Sequence, residues 1–350
     1  MLAPVRHILP VTTIRRERLL PIQGKISVRK GQKVSATDTV AEASLSPAHL
    51  LLDLSRGLGL PPEKTDQHIQ CKAGDSVDAG DILAGPVGLA RRVVRAPKKA
   101  RVVVAGGGQV LLEVQNKPFE LKAALPGMVM DLIPERGVVI ETTGALIQGV
   151  WGNGGIGFGL MLVLAKTPNH VLTRDQLEVS YRGSVILAGH CAEEDVIKMA
   201  GELPLRGLIL ASMAPSVIPV AEKSPVPVMV LEGFGQRPMN TAAFNLLTTN
   251  EQREVAINAE PWDPYTGTRP EVIIPLPAPG DTQQSKDVQV LEPGKQVYIL
   301  RAPHAGKVGR LLSAGGMKTF PSGVRALSAL VRFDDGTEAL VPAANLEIIQ

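Results

Sequence analysis

Aromatic residues are nearly missing from this chain: Phe, Trp and Tyr together make up 3% of its 350 residues. Stacking platforms for single-stranded RNA are therefore scarce, and the cores must be packed with Val, Leu, Ile and Ala. Cysteine is scarcer still. Cys71 and Cys191 stand far apart with no CxxC spacing, so neither a disulfide framework nor a structural zinc site is expected, and no metal or cofactor is. A long apolar run is also lacking, since the stretch from Gly149 to Ala165 is broken by glycines and Asn153 and is short for a membrane span. The opening MLAPVRHILPVTTIRRERL has neither the apolar core nor the small-residue cleavage site of a signal peptide. A soluble cytoplasmic protein is the expectation.

What is present is glycine and proline, 35 and 28 residues, a composition that fits many short strands joined by turns. The net charge of +3 names no polyanion partner, but its distribution is uneven. Residues 1–34 carry Arg6, Arg15, Arg16, Arg18, Lys25, Arg29, Lys30 and Lys33 against the single acid Glu17. A second cluster, Arg91, Arg92, Arg95, Lys98, Lys99 and Arg101, contains no acid. Such clusters bind phosphate or acidic protein surfaces, or are simply solvated strand faces.

An internal repeat is the most informative pattern. ISVRKGQKVSATDTVAEA (Ile26–Ala43) aligns without gaps to IQCKAGDSVDAGDILAGP (Ile69–Pro86), matching Gly31 to Gly74, Val34 to Val77, Asp38 to Asp81 and Ala41 to Ala84. Each copy reads as a strand, a turn that needs Gly, and a second short strand. Neither can bury its apolar face alone, so the two copies are expected to pair. Between them, Ser46 as N-cap, Pro47 at the first helical position and Leu50, Leu51, Leu54 and Leu58 at helical spacing predict a helical insertion over about 46–62.

Residues 1–150 are thus expected to form a β domain. From 151 to 260, behind a Gly-rich segment, buried strand patterns (GSVILAGH, RGLILASM, VPVMVLEGFG) alternate with helical ones and predict a small parallel α/β domain. Residues 261–287 read as a Pro-rich linker. From 288 to 350 short strands return, with Asp335-Gly336 as a hairpin signal. The expected fold class is mixed and multidomain.

The repeated Gly-x-x-Val-x-Ala-x-Asp-x-hydrophobic-Ala resembles the half-unit of the barrel-sandwich hybrid of biotinyl and lipoyl carriers. The carriers attach their cofactor to a hairpin lysine, but Gly85-Pro86-Val87-Gly88-Leu89-Ala90 offers none. The resemblance therefore implies the scaffold without the carrier function. Ala302-Pro303-His304-Ala305-Gly306-Lys307-Val308-Gly309 is similar to the KOW-type turn of SH3-like barrels in transcription and ribosomal proteins. That resemblance implies an SH3-like barrel in which Lys307 and Arg310 face RNA or protein, or a barrel used only for packing.

Three stretches invite chemistry. The glycines of 152–159 suit a phosphate cradle or tight packing, and they match no nucleotide-binding fingerprint. His190 and Cys191 end the first α/β strand, where open parallel sheets bind ligands. Glu232, Arg237 and Asn240 follow the third strand, on the same edge as Ser212 after the second. Arg237 there can hold an anion and Glu232 act as a base, or the two pair with each other. No complete catalytic set is present. The leading expectation is a non-catalytic interaction or scaffold protein on a nucleic-acid-containing assembly, transcription- or ribosome-linked. The alternatives are a small-ligand protein or enzyme using the α/β edge, and an adaptor of a membrane-associated complex.

Overall fold

A computed structural model describes residues 2–114, 118–263, 267–277 and 288–350. It is predominantly β, with several sheets and none closed. The chain forms two compact units, one of 1–19, 26–41 and 121–350, the other of 20–25 and 42–120.

In the larger unit the spine is a long twisted sheet. Ile8–Leu19 lies antiparallel to Gly137–Gln148 along almost its whole length, from Ile8↔Ile147 to Leu19↔Gly137. On the other side of Gly137–Gln148 comes Glu271–Pro275, followed by Glu254–Asn258 and Ile156–Val163, all antiparallel. The sheet then turns parallel through Val185–Cys191, Gly207–Met213 and Val228–Phe234. These last strands are apolar up to their C-terminal ends, where His190, Ser212 and Glu232 fall, because helices or other chain cover both their faces. Glu194–Glu202 buries Val196, Ile197 and Ala200, and Thr241–Thr248 buries Ala243 and Leu247.

The Pro-rich 261–287 segment departs from its linker reading. Glu271–Pro275 is a buried strand between two others, since Val272, Ile273 and Ile274 form an apolar run that flanking prolines disguise. Residues 264–266 and 278–287 of that segment lie outside the described residues. Of the glycines of 152–159, Gly152, Gly155, Gly157 and Gly159 serve close packing, while Gly154 has open space and a φ of 88°. A Cβ at Gly157 would lie 1.7 Å from the Arg206 carbonyl, and one at Gly152 would lie 2.2 Å from that of Ala259.

A second sheet of this unit gathers the C-terminal strands and, with them, the N-terminus. Leu2–Arg6 runs parallel to Leu346–Ile349 and antiparallel to Val288–Val290. Gln296–Ile299, Val308–Thr319, Arg325–Phe333 and Glu338–Pro342 follow on the far side of Leu346–Ile349. Ala3, Val5, Val297, Ile299, Leu311, Val331 and Ile348 make its core.

In the smaller unit, the helix expected from Ser46 begins later. Ala48–Asp53 is a strand paired with Gln109–Val114, because Leu50 and Leu52 alternate with the exposed Leu51 and the period there is two. The helix is Leu54–Leu58, capped by the Asp53 carboxylate on the Arg56 amide at 2.9 Å and ended by Gly59 in the left-handed region. Ile82–Val87 and Arg92–Arg95 form a hairpin.

The two repeat copies share their local geometry but do not pair with each other. No sheet joins a strand of one to a strand of the other among the described residues. Lys33–Val34 pairs with Gly127–Ile133, and Ser76–Val77 pairs with Ala100–Gly106. Within each copy the same bonds recur. The Ser35 amide donates to Asp38 Oδ2 at 2.8 Å, as the Asp78 amide does to Asp81 Oδ2 at 2.7 Å. The Gly31 amide donates to the Val129 carbonyl and the Gly74 amide to that of Val102, both at 2.8 Å. Both glycines have positive φ, 80° and 96°, which is the turn requirement read from the sequence.

Candidate functional site

Parallel register sets the α/β edge. His190 lies opposite Ser212, and Ser212 opposite Gly233, so the C-terminal ends of three strands deliver His190, Ser212 and Glu232 side by side. The groups do meet partners, but mostly backbone and one another. His190 Nδ1 is 2.9 Å from Ser212 Oγ. That hydroxyl donates to the Arg237 carbonyl at 2.9 Å and accepts from the Arg237 amide at 3.1 Å. Ser212 thus pins the loop after the third strand. Burial pushes the His190 imidazole below its ordinary value, against the opposing pull of the Ser212 backbone.

Cys191 is fully buried, and its thiol donates to the Glu193 carbonyl at 3.6 Å. Burial pushes that thiol up to about 11, the opposite of what a nucleophile needs. Asn240 accepts from the Ala242 amide at 2.8 Å and so caps the helix Thr241–Thr248. Its own amide donates to Glu232 Oε1 at 2.9 Å.

Glu232 sits in a buried ion-pair network that the sequence reading missed. Arg6 Nη1 donates to Glu232 Oε2 at 3.2 Å, and Arg6 Nη2 to Glu347 Oε2 at 2.9 Å. Arg269 closes the far end on Glu347 Oε1 at 2.5 Å. The Arg6 guanidinium lies 4.4 Å from the centre of the Tyr298 ring. Burial raises the Glu232 carboxyl above its ordinary value despite Arg6, the Asn240 amide and the positive charge of Arg237. Arg237 lies beside the Tyr298 hydroxyl. The legible signal was the lone charge in an apolar run: Glu347 between Leu346 and Ile348, and Arg6 after Val5.

Beside Glu232 remains a cleft of about 220 Å³, with Asn240, Gln296, Tyr298 and Asp334 among its lining. No group of three or more metal-ligating side chains occurs among the described residues.

The basic clusters divide. Arg16 binds Glu271 at 2.8 Å and Arg18 binds Glu260 at 2.5 Å, while Arg15 is exposed. Those two arginines are structural. In the smaller unit Arg91, Arg92, Lys98 and Arg101 are exposed and join no ion pair among the described residues. Lys99 reaches Asp78 at 3.0 Å, and Arg95 donates to the Gly80 carbonyl at 2.7 Å. Leu89, at the tip between Ile82–Val87 and Arg92–Arg95, is fully exposed. In the larger unit, Lys307 stands 4.8 Å from the centre of the Phe333 ring and Arg310 is exposed. No protein-family model matches the chain, and no curated protein matches it at a significant level.

Proposed function

We propose that this chain is a non-catalytic, cytoplasmic interaction protein that docks on a nucleic-acid-containing assembly through the phosphate backbone. One contrast carries the reading. The polar groups of the α/β edge are engaged by internal partners, whereas Arg91, Arg92, Lys98 and Arg101 stand exposed without an ion pair among the described residues. Scarce aromatics favour backbone contact over base stacking. The recurring turn geometry of the two repeat copies supports a barrel-sandwich-like module, and the short strands after 288 support an SH3-like one used for binding.

The test is affinity purification of the tagged full chain with and without nuclease. Loss of the co-purifying material on nuclease treatment is expected. Partners indifferent to nuclease would count against the reading, and co-sedimentation with membranes that survives a high-salt wash would favour the adaptor alternative. The cleft beside Glu232 supports a second reading, a small polar ligand, which predicts a shift in thermal midpoint on screening against metabolite mixtures.

A further inference from the structure

Beyond the point where its neighbours in the sheet end, the hairpin Val308–Thr319 / Arg325–Phe333 continues alone. Gln296–Ile299 accompanies its first strand only at Val308–Arg310, and Glu338–Pro342 accompanies its second strand only from Ser328 onward. Ser313 and Ala314 still face Leu330 and Ala329, which Glu338–Pro342 accompanies, so from Gly315 to Leu327 the chain is a two-stranded ribbon. At about 3.3 Å per residue from Gly315 to Phe320 it reaches roughly 15 Å. Its construction is definite. Ser328 Oγ donates to the Gly315 and Gly316 carbonyls at 3.0 and 3.2 Å, fixing the bulge at the base of the ribbon. At the tip, Phe320 and Val324 close a loop of Pro321, Ser322 and Gly323 through the Phe320 amide on the Val324 carbonyl, 2.9 Å, and the Gly323 amide on the Phe320 carbonyl, 2.8 Å.

A bare two-stranded ribbon is marginal in water, and this one exposes what such ribbons normally hide. Met317, Val324 and Leu327 are 49%, 57% and 42% exposed. The register sorts its side chains. Met317 faces Leu327 and Thr319 faces Arg325 on one side, while Lys318 faces Ala326 on the other, joined there by Phe320 and Val324 under strand alternation. Each face thus carries one cation flanked by apolar groups. Between Arg310 and Arg332 the sequence contains no acid.

Which partner meets cations on both faces of one ribbon? An anionic membrane is a plane and meets one face. A second copy stacked face to face would set Arg325 against Arg325, or Lys318 against Lys318. A groove of a B-form duplex has phosphates along both walls, and the major groove, about 12 Å wide, admits a two-stranded ribbon. We propose that residues 315–327 form an arm that enters a groove of duplex DNA, with Lys318 and Arg325 on opposite phosphate walls and Phe320, Pro321 and Val324 leading into the groove. This rests on the reading that the chain binds nucleic acid, and it adds the form of nucleic acid and the element that enters it.

The test uses the full chain, a mixed-sequence DNA duplex and fluorescence anisotropy over a range of salt. The double variant K318E/R325E should bind at least about tenfold more weakly at low salt, and the slope of log affinity against log salt should fall by about 2, one for each phosphate contact. Both residues are exposed, so the thermal midpoint should be unchanged. F320A should weaken binding with no change in that slope, and K223E, an exposed charge elsewhere on the same unit, should have no effect. If wild type and K318E/R325E bind the duplex alike, the arm is refuted while the broader reading stands. If wild type binds no nucleic acid, both fall. Arm-dependent binding to phosphatidylglycerol vesicles without DNA binding, or arm-dependent dimers in sedimentation, would likewise overturn it.

Discussion

The guanidinium of Arg6 and the carboxylate of Glu347 meet at 2.9 Å with both side chains buried, joining strands from the two ends of the sequence. The same guanidinium holds Glu232 and faces Tyr298, so one side chain secures the α/β edge to the C-terminal sheet. Removing one partner of a buried pair strands the other charge, which costs about 3–5 kcal/mol. Arg6→Met should destabilise the chain by that order in urea unfolding. Adding Glu232→Gln should recover part of the loss, because Arg269 still holds Glu347 while the stranded carboxylate of Glu232 is then gone.

The buried thiols give a second check. Cys191 is pushed up to about 11 and Cys71 is also raised, each chiefly by burial. At neutral pH neither should react with Ellman's reagent in the native protein, and both should react in denaturant. Rapid native labelling of Cys191 would restore it as a candidate nucleophile.

His190 offers a pH signature. Its folded value lies below the ordinary 6.5 because of burial, so the unfolded chain binds the proton more readily. Its effect on stability is therefore absent well above pH 6.5 and appears as a loss as pH falls below that value. An NMR titration should place the imidazole below 6.5.

Arg18 and Glu260 act in the acidic range. Burial works to raise the Glu260 carboxyl, but its bonds to Arg18 and Asn258 bring it below the usual 4.5. That stabilisation is complete above about pH 4.5 and is lost as pH falls through the lower folded value. Thermal midpoints of wild type and Glu260→Gln should differ at pH 7 and converge in acid.

The two kinds of basic cluster should separate in one experiment. Arg16 and Arg18 are bonded to Glu271 and Glu260, so substituting them should cost stability and leave duplex affinity nearly unchanged. Charge reversal at Arg91, Arg92 and Lys98, all exposed, should weaken binding with little effect on the thermal midpoint.

What the sequence made legible was local. The repeat announced its turns because Gly31 and Gly74 take positive φ and Asp38 and Asp81 bind backbone three residues back. The buried parallel strands announced themselves as unbroken apolar runs, and their order brought His190, Ser212 and Glu232 to one edge. Long-range partnership was not legible. Nothing near Arg6 in sequence points to Glu347, and nothing in Lys33–Val34 points to Gly127–Ile133 as its partner. Ala48–Asp53 is ambiguous in sequence because Leu50, Leu54 and Leu58 satisfy a helical spacing while Leu50 and Leu52 satisfy a strand, and pairing with Gln109–Val114 decides between them. The projecting arm is not legible either, because its apolar alternation matches any half-buried strand and only the ends of the neighbouring strands set it apart.

The deciding measurement is the affinity of the full wild-type chain for duplex DNA across a range of salt. Binding is expected, with a logarithm that falls linearly and steeply with log salt, by roughly 0.9 for each phosphate neutralised. Binding indifferent to salt, or no binding at low salt, would contradict the proposed function.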